Sequence, residues 1–573
     1  MTDGQVLGTT TIAGGAVVVN ETTVDAALEL AGATTVSAGS LTLTAGDVAA
    51  VTTSGTGTFT QSAGVSGAVE NTGGTVNLNG GTAATLAHTG TAGTSTVTDG
   101  QVLGTTTIAG GAVVVNETTV DAALELAGAT TVSAGSLTLT AGDVAAVTVS
   151  GTGTFDVDGG TSGAVVISGG TLDASGGTLA SLDVNGGTAH SISGSAAVTG
   201  ATTIDNATLT QSGGSLNTVT VGVSGTYDVQ ADVSINALAG AEASAVVDVN
   251  SNTLTIAGSG NTSFDGTLSG GASGVLSNTG GGTLTLGGDN SSYAGGFDIS
   301  GGSTIAGDVN AFGDGTGAIT LNSGTLDVTA SSTVANAITV GANGGTVGAT
   351  AGTVATLTGD ITRNGTLTFG DGTLAGGGQV IVNSTGFSGT GSTVVSENLE
   401  LVLGSPQSIA LLNNGIAVNG TVDLNGQNPS TSNLTGAGVI TSNAANATFT
   451  FNGPTTFNGS FVDGTTGIMS IDVNVGGPNT LQLNSGSSTY SGATTITSGT
   501  LQVSGGGAIG DASAVTVSAG AIFDVDASET VGSITGAGSI TVADTHVLTS
   551  AQTDLSATPL ITTFDGVISG MGG

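Results

Sequence analysis

The sequence predicts an all-β protein built as a parallel β-helix, a solenoid in which short strands stack coil upon coil. Three observations support this prediction. Residues 2–52 recur unchanged as residues 98–148, an offset of 96. Short segments of alternating apolar and polar residues run along the whole chain. Their spacing is nearly constant, as expected for units that contact only their neighbours.

The duplication indicates the size of one coil. A fold that accepts a copied block of about a hundred residues is normally a repeat architecture. Within one copied unit, apolar landmarks recur at similar intervals, and they are Leu41, Phe59, Val76, Val97, Val113 and Leu137. Their mean step, roughly 19 residues, has the size of one solenoid coil. The copied block therefore contains about five coils.

The strand segments share one pattern along the chain. Each alternates apolar and polar residues for three to five positions and stops at Gly, Asn, Asp or Ser, which favour turns. The segments are SLTLTAG (40–46), GTVNLNGG (74–81), GTLDASGG (170–177), NTLTIAG (252–258), GTLTLGG (282–288), GTLDV (324–328), GTLTFGDG (365–372) and GTLQVSGG (499–506). Gly and Asn at the corners supply the positive φ angles that sharp turns require.

A string of small β-sandwich domains is the alternative architecture. Such domains contain about 100 residues, close to the offset of 96. Against this alternative, the strand segments are short and recur several times within each copied unit, and the chain has no Trp to anchor a sandwich core.

Composition excludes several classes of partner. The chain has 573 residues, with 40 Asp and Glu against a single basic residue, Arg363, and a formal net charge of −39. Because nucleic-acid binding depends on cationic side chains, no nucleic-acid partner is expected. We expect the lone Arg363 to be a solvated surface residue. No run of 18 apolar residues is present, so no transmembrane segment is predicted.

The chain also lacks signals that would fix its compartment. Cysteine is absent, so neither disulfides nor thiolate metal sites contribute. The first residues, MTDGQVLGTTT, show neither the basic nor the apolar region of a cleavable signal, which leaves the export route open.

The two halves of the sequence differ in the length and regularity of their repeated units. Residues 1–250 carry the duplication, as units 2–97 and 98–193. Residues 251–573 carry longer and less regular units, with an apolar interruption at 399–418. Because no Pro-rich or Gly/Ser linker separates the halves, we expect one continuous solenoid.

The second half contains a recurring sequence. Residues 284–328 return in similar form as residues 481–525, with shorter echoes at 254–266 and 449–459. Each copy has an aromatic residue two positions before a Gly, and these aromatics are Phe264, Tyr293, Phe457 and Tyr490. This pattern resembles the autotransporter-associated β-strand repeat of large bacterial surface proteins. The composition is also similar to that of type I-secreted surface-layer proteins.

The resemblance implies a right-handed parallel β-helix, export to the surface of a Gram-negative-type cell, and a structural or adhesive role. It brings no catalytic residues with it.

Calcium is the predicted ligand, since carboxylate and carbonyl oxygens are the ligands that Ca²⁺ prefers. Residues i and i+2 of a strand share a face, which pairs carboxylates in FDVDGG and FDVDAS. DVNSN opens like a calcium loop but lacks its Gly and distal Glu. The candidate ligands are therefore Asp156, Asp158, Asp248, Asn250, Asp524 and Asp526. The alternative is that these side chains are solvated charges beside turns.

The sequence favours a non-enzymatic, extracellular structural protein. We expect a solenoid rod that builds a bacterial cell-surface layer, filament or adhesive fibre by self-association, because open coil ends are unpaired strand edges. Two alternatives stay open. One is an adhesin passenger that binds a glycan or a host surface. The other is a glycan-active β-helix enzyme that uses paired carboxylates.

Overall fold

The computed structural model describes residues 2, 4–22, 28–119, 121, 123–370, 377–551 and 562–570. Two residues of the GTLTFGDG segment, 371 and 372, lie outside this description. The chain divides into two compact units, residues 1–277 (unit 1) and residues 278–573 (unit 2). The continuity of the two halves stays a prediction.

The described strands pair in parallel, each with the strand one coil later, as in the pairs Thr58–Gln61 with Thr75–Leu78 and Thr480–Leu483 with Thr500–Val503. The prediction of an all-β parallel solenoid is confirmed. The tandem β-sandwich alternative is wrong, because sandwiches are made of antiparallel sheets.

Unit 1 contains one sheet of 28 described strands. These strands are Thr10–Val19, Thr34–Leu43, Asp47–Val48, Val51–Thr53, Thr58–Gln61, Val65–Asn71, Thr75–Leu78, Thr82–His88, Thr94–Val97, Gln101–Val102, Thr106–Ile108, Ala112–Asn116, Thr130–Val132, Ser136–Ala141, Asp143–Val144, Val147–Val149, Thr154–Val157, Thr161–Ile167, Thr171–Ala174, Thr178–Asn185, Ala189–Ile192, Ala197–Asp205, Thr208–Gln211, Ser215–Val221, Thr226–Val229, Ala237–Ala239, Val246–Asp248 and Thr267–Ser269. Three further strands of unit 1 are Val233–Ile235, Thr253–Ile256 and Thr262–Phe264. The strand Val275–Asn278 lies at the division between the units.

Inward side chains of successive coils stack on one another in unit 1. Phe59 lies in register between Leu41 and Val76, and none of the three is exposed. Because apolar side chains from one coil cover those of the next, the core is a column made mostly of Val, Leu, Ile and Phe.

The predicted landmark Val97 is a buried strand residue, but its predicted register is wrong: Ser95 pairs with Val76 and in turn with Val113, whereas Val97 pairs with Leu78 and Val115. With Ser95 in this place, the coil steps up to Val113 are more even than the predicted landmarks suggested. Ser95 can occupy an inward position because its hydroxyl hydrogen-bonds inside the core to Asn71 and His88, each at 3.1 Å.

Unit 2 is built from parallel ladders in the same manner. Its strands are Thr283–Leu286, Gly296–Ile299, Ser303–Ala306, Ile319–Leu321, Thr325–Val328, Ser332–Val334, Ile338–Val340, Gly345–Ala349, Val354–Leu357, Ile361–Arg363, Leu367–Phe369, Gln379–Val382, Phe387–Gly389, Thr393–Val395, Glu400–Leu403, Ile416–Val418, Thr421–Asp423, Ser430–Thr431, Leu434–Thr435, Val439–Thr441, Ala447–Phe451, Thr455–Phe457, Ser460–Phe461, Met469–Asn474, Thr480–Leu483, Thr494–Ser498, Thr500–Val503, Ala514–Val517, Ile522–Val525, Glu529–Val531, Ser533–Gly536, Ser539–Val542, Leu548–Ser550 and Val567–Gly570.

A short helical segment interrupts unit 2 at the apolar stretch seen in the sequence. It consists of a 3₁₀ turn, Pro406–Ile409, followed by the α-helical turn Ala410–Asn413. Among the residues that the structure covers, no helix has the length and apolar character needed to cross a membrane.

Arg363 is buried beside this segment, with 2% of its surface exposed, so the expectation of a solvated surface residue is wrong. Its guanidinium donates hydrogen bonds to the carbonyl oxygens of Ala410 and Leu411, at 2.9 and 3.3 Å, and to Oγ1 of Thr393. Burial lowers the pKa of the guanidinium. The sequence could not indicate this position, because the partners lie 30 to 48 residues away.

Candidate functional site

The first predicted calcium pair lies on the outer face of unit 1. Asp156 points outward from the strand Thr154–Val157, and the exposed turn residue Asp158 accepts a hydrogen bond from Oγ of Ser175 at 2.8 Å. Asp173 of the next coil lies in register with Asp156. Partial burial raises the pKa of Asp156, and the charges of Asp158 and Asp173 raise it further. The sequence analysis missed Asp173 because the residue that lies beside Asp156 on the next coil depends on the exact length of the coil between them.

The second predicted pair lies on the same outward row. Asp248 is in register with Asp228 and accepts the backbone N–H of Asn250 at 2.9 Å. Asn250 has a φ of +52° and donates its side-chain amide to Asp228 at 2.7 Å. The side-chain amide of Asn250 therefore links its own coil to that of Asp228. It directs its N–H₂ group at the Asp228 carboxylate.

The third predicted pair belongs to unit 2. Asp524 points outward from the strand Ile522–Val525, and Asp526 follows in an exposed turn. Nε2 of Gln502 donates to both carboxylates, at 3.1 Å to Asp524 and 2.7 Å to Asp526. The two carboxylates thus share one amide donor from the preceding coil.

These six residues do not form one site. Along the shared outward row of unit 1, Asp156 and Asp248 are five coil steps apart. At about 4.8 Å per step the separation is about 24 Å. Each pair is a separate surface feature, and whether any of them binds calcium stays a proposal.

A different acidic group brings three carboxylates together. Ligand oxygens of Glu117, Asp121 and Glu125 all lie within 4.8 Å of one another, and we call these residues the Glu117 cluster. The cluster belongs to the loop between the strands Ala112–Asn116 and Thr130–Val132. Asp99 anchors the start of this loop by accepting the backbone N–H groups of Thr118 and Thr119, both at 2.9 Å.

Glu125 is the buried member of the Glu117 cluster, with 3% of its surface exposed. Its carboxylate accepts the backbone N–H of Asp143 at 2.5 Å. Burial raises the pKa of Glu125, the Asp143 hydrogen bond lowers it, and the Glu117 charge raises it again. Three carboxylates at this separation could hold a hard divalent cation such as Ca²⁺.

The first copy of the duplication repeats part of this arrangement. Glu29, the equivalent of Glu125, is also 3% exposed and accepts the backbone N–H of Asp47. Asp25, the equivalent of Asp121, lies outside the described residues. Sequence reasoning missed the cluster because its acidic spacing matches no calcium-loop motif, although identical placement in both copies was a usable signal.

A groove of about 560 Å³ also lies on the outer face of unit 1. Threonine and serine hydroxyls and the carboxylate of Asp173 line it. Such a surface offers hydrogen-bond donors and acceptors to a hydroxylated ligand, and Leu172, Ala189 and His190 complete its lining.

The two long sequence repeats of unit 2 occupy equivalent places in the ladder. Tyr293 and Tyr490 are both buried, with 1% and 0% of their surface exposed. The strands that precede them, Thr283–Leu286 and Thr480–Leu483, each begin the same number of positions before their Tyr. Gly313 and Gly510 each lie against the backbone oxygen of the corresponding Tyr.

Comparison with known proteins finds one family. Residues 276–306 and 476–503 match the model of the passenger-associated-transport-repeat family. The matched segments contain the two equivalent strands and the two buried tyrosines, Tyr293 and Tyr490. Neither the curated proteins nor the solved structures include a match to this chain. The chain therefore carries passenger-associated-transport repeats, which confirms the resemblance to autotransporter passenger repeats.

Proposed function

We propose that this chain is a non-enzymatic, extracellular structural solenoid of a bacterial surface protein, which self-associates into a surface layer, filament or adhesive fibre. The supporting observation is the pair of passenger-associated-transport repeats built into parallel β-ladders. Repeats of this kind fit a secreted or cell-surface protein. Backbone hydrogen bonds between coils would supply stiffness, and the outward polar rows would supply the contact surface.

The charge of the chain sets a condition for this assembly. The chain has 40 carboxylates and a single guanidinium, that of Arg363, which is buried. Neighbouring copies therefore repel each other within about 8 Å, the screening length at physiological ionic strength. Close packing requires added cations, and Ca²⁺ is the best candidate because its ligands are carboxylate and carbonyl oxygens.

Electron microscopy of the purified chain tests this proposal. We expect ordered polymers in millimolar Ca²⁺ and single particles after chelation, with Mg²⁺ at equal ionic strength as the control for simple screening. Single particles under every condition would contradict self-association and would favour the adhesin alternative.

A glycan-binding role is the second candidate, favoured by the hydroxyl-lined groove that includes Asp173. Binding of neutral polysaccharides by the wild type, lost on Asp173→Ala, would support it. The same polysaccharides test the enzyme alternative. Turnover that is abolished by Asp156→Asn with Asp158→Asn would contradict the non-enzymatic proposal.

A further inference from the structure

Unit 1 buries an imidazole in its core near the start of the second duplicated block. His88 has no exposed surface, and its Nδ1 hydrogen-bonds to Oγ of Ser95 at 3.1 Å. Within the part of the chain that the structure covers, Nε2 of His88 has no hydrogen-bond partner. The ring therefore makes one side-chain hydrogen bond, and contacts with the backbone of Ala92 and Ala112 offset only part of the lowering of its pKa by burial.

A second imidazole is buried in the same unit. His190 is 3% exposed and stacks between Leu172 and Leu209 of the neighbouring coils. Its Nε2 donates to the carbonyl oxygen of Gly186 at 3.0 Å, and its Nδ1 has no partner among the described residues. Each buried histidine thus has one satisfied and one unpaired ring nitrogen.

Both rings end against the backbone of a glycine turn. Gly111 has a φ of +60°, and a Cβ there would lie 2.2 Å from Nε2 of His88. Gly187 has a φ of +102°, and a Cβ there would lie 2.7 Å from Nε2 of His190. Each imidazole therefore lies directly beneath a corner of the solenoid.

The groups around the rings offer little to balance a positive charge. The strands packed against His88 carry one titratable side chain, Glu70, which points outward and accepts a hydrogen bond from Oγ1 of Thr89 at 3.3 Å. The strands around His190 carry Asp173 and Asp183, which are both exposed and lie between inward residues. An imidazolium formed in either place would be buried without a facing carboxylate.

We propose that His88 and His190 make unit 1 a pH-sensitive element, in which the corners at Gly111 and Gly187 open when the rings take up protons. A buried, unpaired charge is costly, whereas an opened corner lets water solvate the imidazolium. Opening at these corners would expose local strand edges while the rest of the column stays paired, since each coil contacts only its neighbours.

The direction of the pH effect follows from the proton affinities of the two states. Burial lowers the pKa of both His88 and His190. The opened state therefore binds protons more readily, and closure weakens as pH falls below the ordinary histidine value of about 6.5. For each histidine, the equilibrium constant for opening rises by up to about tenfold for each pH unit below that value. The rise ends when the pH reaches the lowered pKa of the histidine in the closed state.

Other groups of unit 1 act in the opposite direction. Burial raises the pKa of Glu125 and of Asp156, so the closed state gains from their protonation as pH falls. A pH of about 5.5 separates the two effects, because it lies below the ordinary histidine pKa and above those of most carboxylates.

Hydrogen exchange followed by mass spectrometry tests the proposal at pH 7.5 and 5.5, with rates corrected for intrinsic exchange. We expect the opening of peptides covering 82–113 and 178–192 to rise up to about tenfold at pH 5.5. His88→Gln should remove the increase in the first peptide and His190→Gln in the second. His546→Gln in unit 2 is the matched control and should leave both increases in place.

An acid-induced increase that persists in both variants would overturn the proposal, as would equal exchange at both pH values in the wild type. Because His88→Gln could disturb folding, NMR titration of the wild-type imidazole signals gives a second test. We expect the two buried rings to titrate below about 6.5. Titration of both at the ordinary value would also overturn the proposal.

Discussion

The only basic side chain of the protein fastens the short helical segment of unit 2 to the ladder beside it. The Arg363 guanidinium contacts the carbonyl groups of Ala410 and Leu411 in the α-helical turn of that segment, and the hydroxyl of Thr393. Carbonyl groups at the end of a helical turn have no partner within the turn, so they are natural acceptors for a cation. Arg363 therefore acts in the structure and has no carboxylate partner among the described residues.

Replacing Arg363 should destabilise unit 2. Arg363→Met removes three hydrogen bonds and takes the guanidinium donor from the Ala410 carbonyl oxygen, while the Leu411 oxygen keeps the Thr393 hydroxyl, for an expected loss of about 2–4 kcal/mol. Arg363→Lys should recover only part of the lost stability, because the ammonium group of Lys cannot reproduce the planar set of N–H donors of a guanidinium. Urea unfolding measures the change, with the outward neighbour Thr362→Ala as the control. Equal stability of the wild type and Arg363→Met would contradict this role.

Inward and outward residues were largely predictable from the sequence, but the polar part of the core was not. Alternation placed Leu41, Phe59 and Val76 inward, as the structure has them. It could not place Asn71, whose hydrogen-bond partners Thr53 and Ser95 come from neighbouring coils, or His88, whose partner Ser95 lies across a corner on the next strand. A polar residue is stable inside only when such partners exist, and coil stacking alone decides which residues meet.

At the scale of elements, the two long repeats of unit 2 pair the backbone N–H of an equivalent turn residue, Asn310 or Gly507, with different carboxylates. In the first repeat, Oδ1 of Asp308 accepts the backbone N–H of Asn310 at 2.8 Å. The equivalent of Asp308 in the second repeat is Gly505, where a Cβ would lie 2.4 Å from the oxygen of Asn484. Since no side chain fits there, the carboxylate comes from Glu529, one coil further along the chain.

Glu529 should therefore stabilise the second repeat. Its buried carboxylate accepts the N–H groups of Gly507, Ala508 and Ile509 at 3.0, 3.3 and 2.9 Å. Glu529→Ala leaves these donors unpaired, for an expected loss of about 2–4 kcal/mol of unfolding free energy. Ser332→Ala at the equivalent place is the control, because the Ser332 hydroxyl has no partner among the described residues, and it should have little effect. Similar losses in the two variants would contradict the assignment.

The Glu117 cluster is the element at which a calcium effect on stability is best tested. We expect millimolar Ca²⁺ to raise the Tm of the wild type. Glu117→Gln with Glu125→Gln should reduce the rise, since two of three carboxylates are lost. Because burial raises the pKa of Glu125, a bound cation must displace a proton as pH falls, so the rise should shrink on acidification.

Differential scanning calorimetry with Ca²⁺, and with Mg²⁺ as the control, measures this effect. A change caused equally by both ions would indicate screening of the net charge. Asp524→Asn with Asp526→Asn in unit 2 shows whether the pairs predicted from sequence contribute. Local alternation predicted those pairs, but it could not predict a cluster assembled by a loop.

At the scale of the whole molecule, the duplication makes length a variable of this fold. Each coil of unit 1 contacts only its neighbours, so a block of whole coils can be added without changing the cross-section. Removing residues 53–148 joins Thr52 to Val149, which reproduces the native Thr148–Val149 junction because residues 2–52 equal 98–148. The shortened chain loses five coil steps, and the strands at the junction keep their register.

We expect this deletion to fold with β-content per residue unchanged, measured by circular dichroism. Its urea m-value should fall roughly in proportion to the surface that is no longer buried. Deletion of residues 63–148 is the matched control, because the ten residues it retains make up about half a coil, so the strands after the junction lose their register with the coil before it. If both deletions fold equally well, coil register does not constrain the chain, and the duplication says nothing about how its length changes. If only the deletion of 53–148 folds, the chain can be lengthened or shortened in whole coils, as a structural spacer requires.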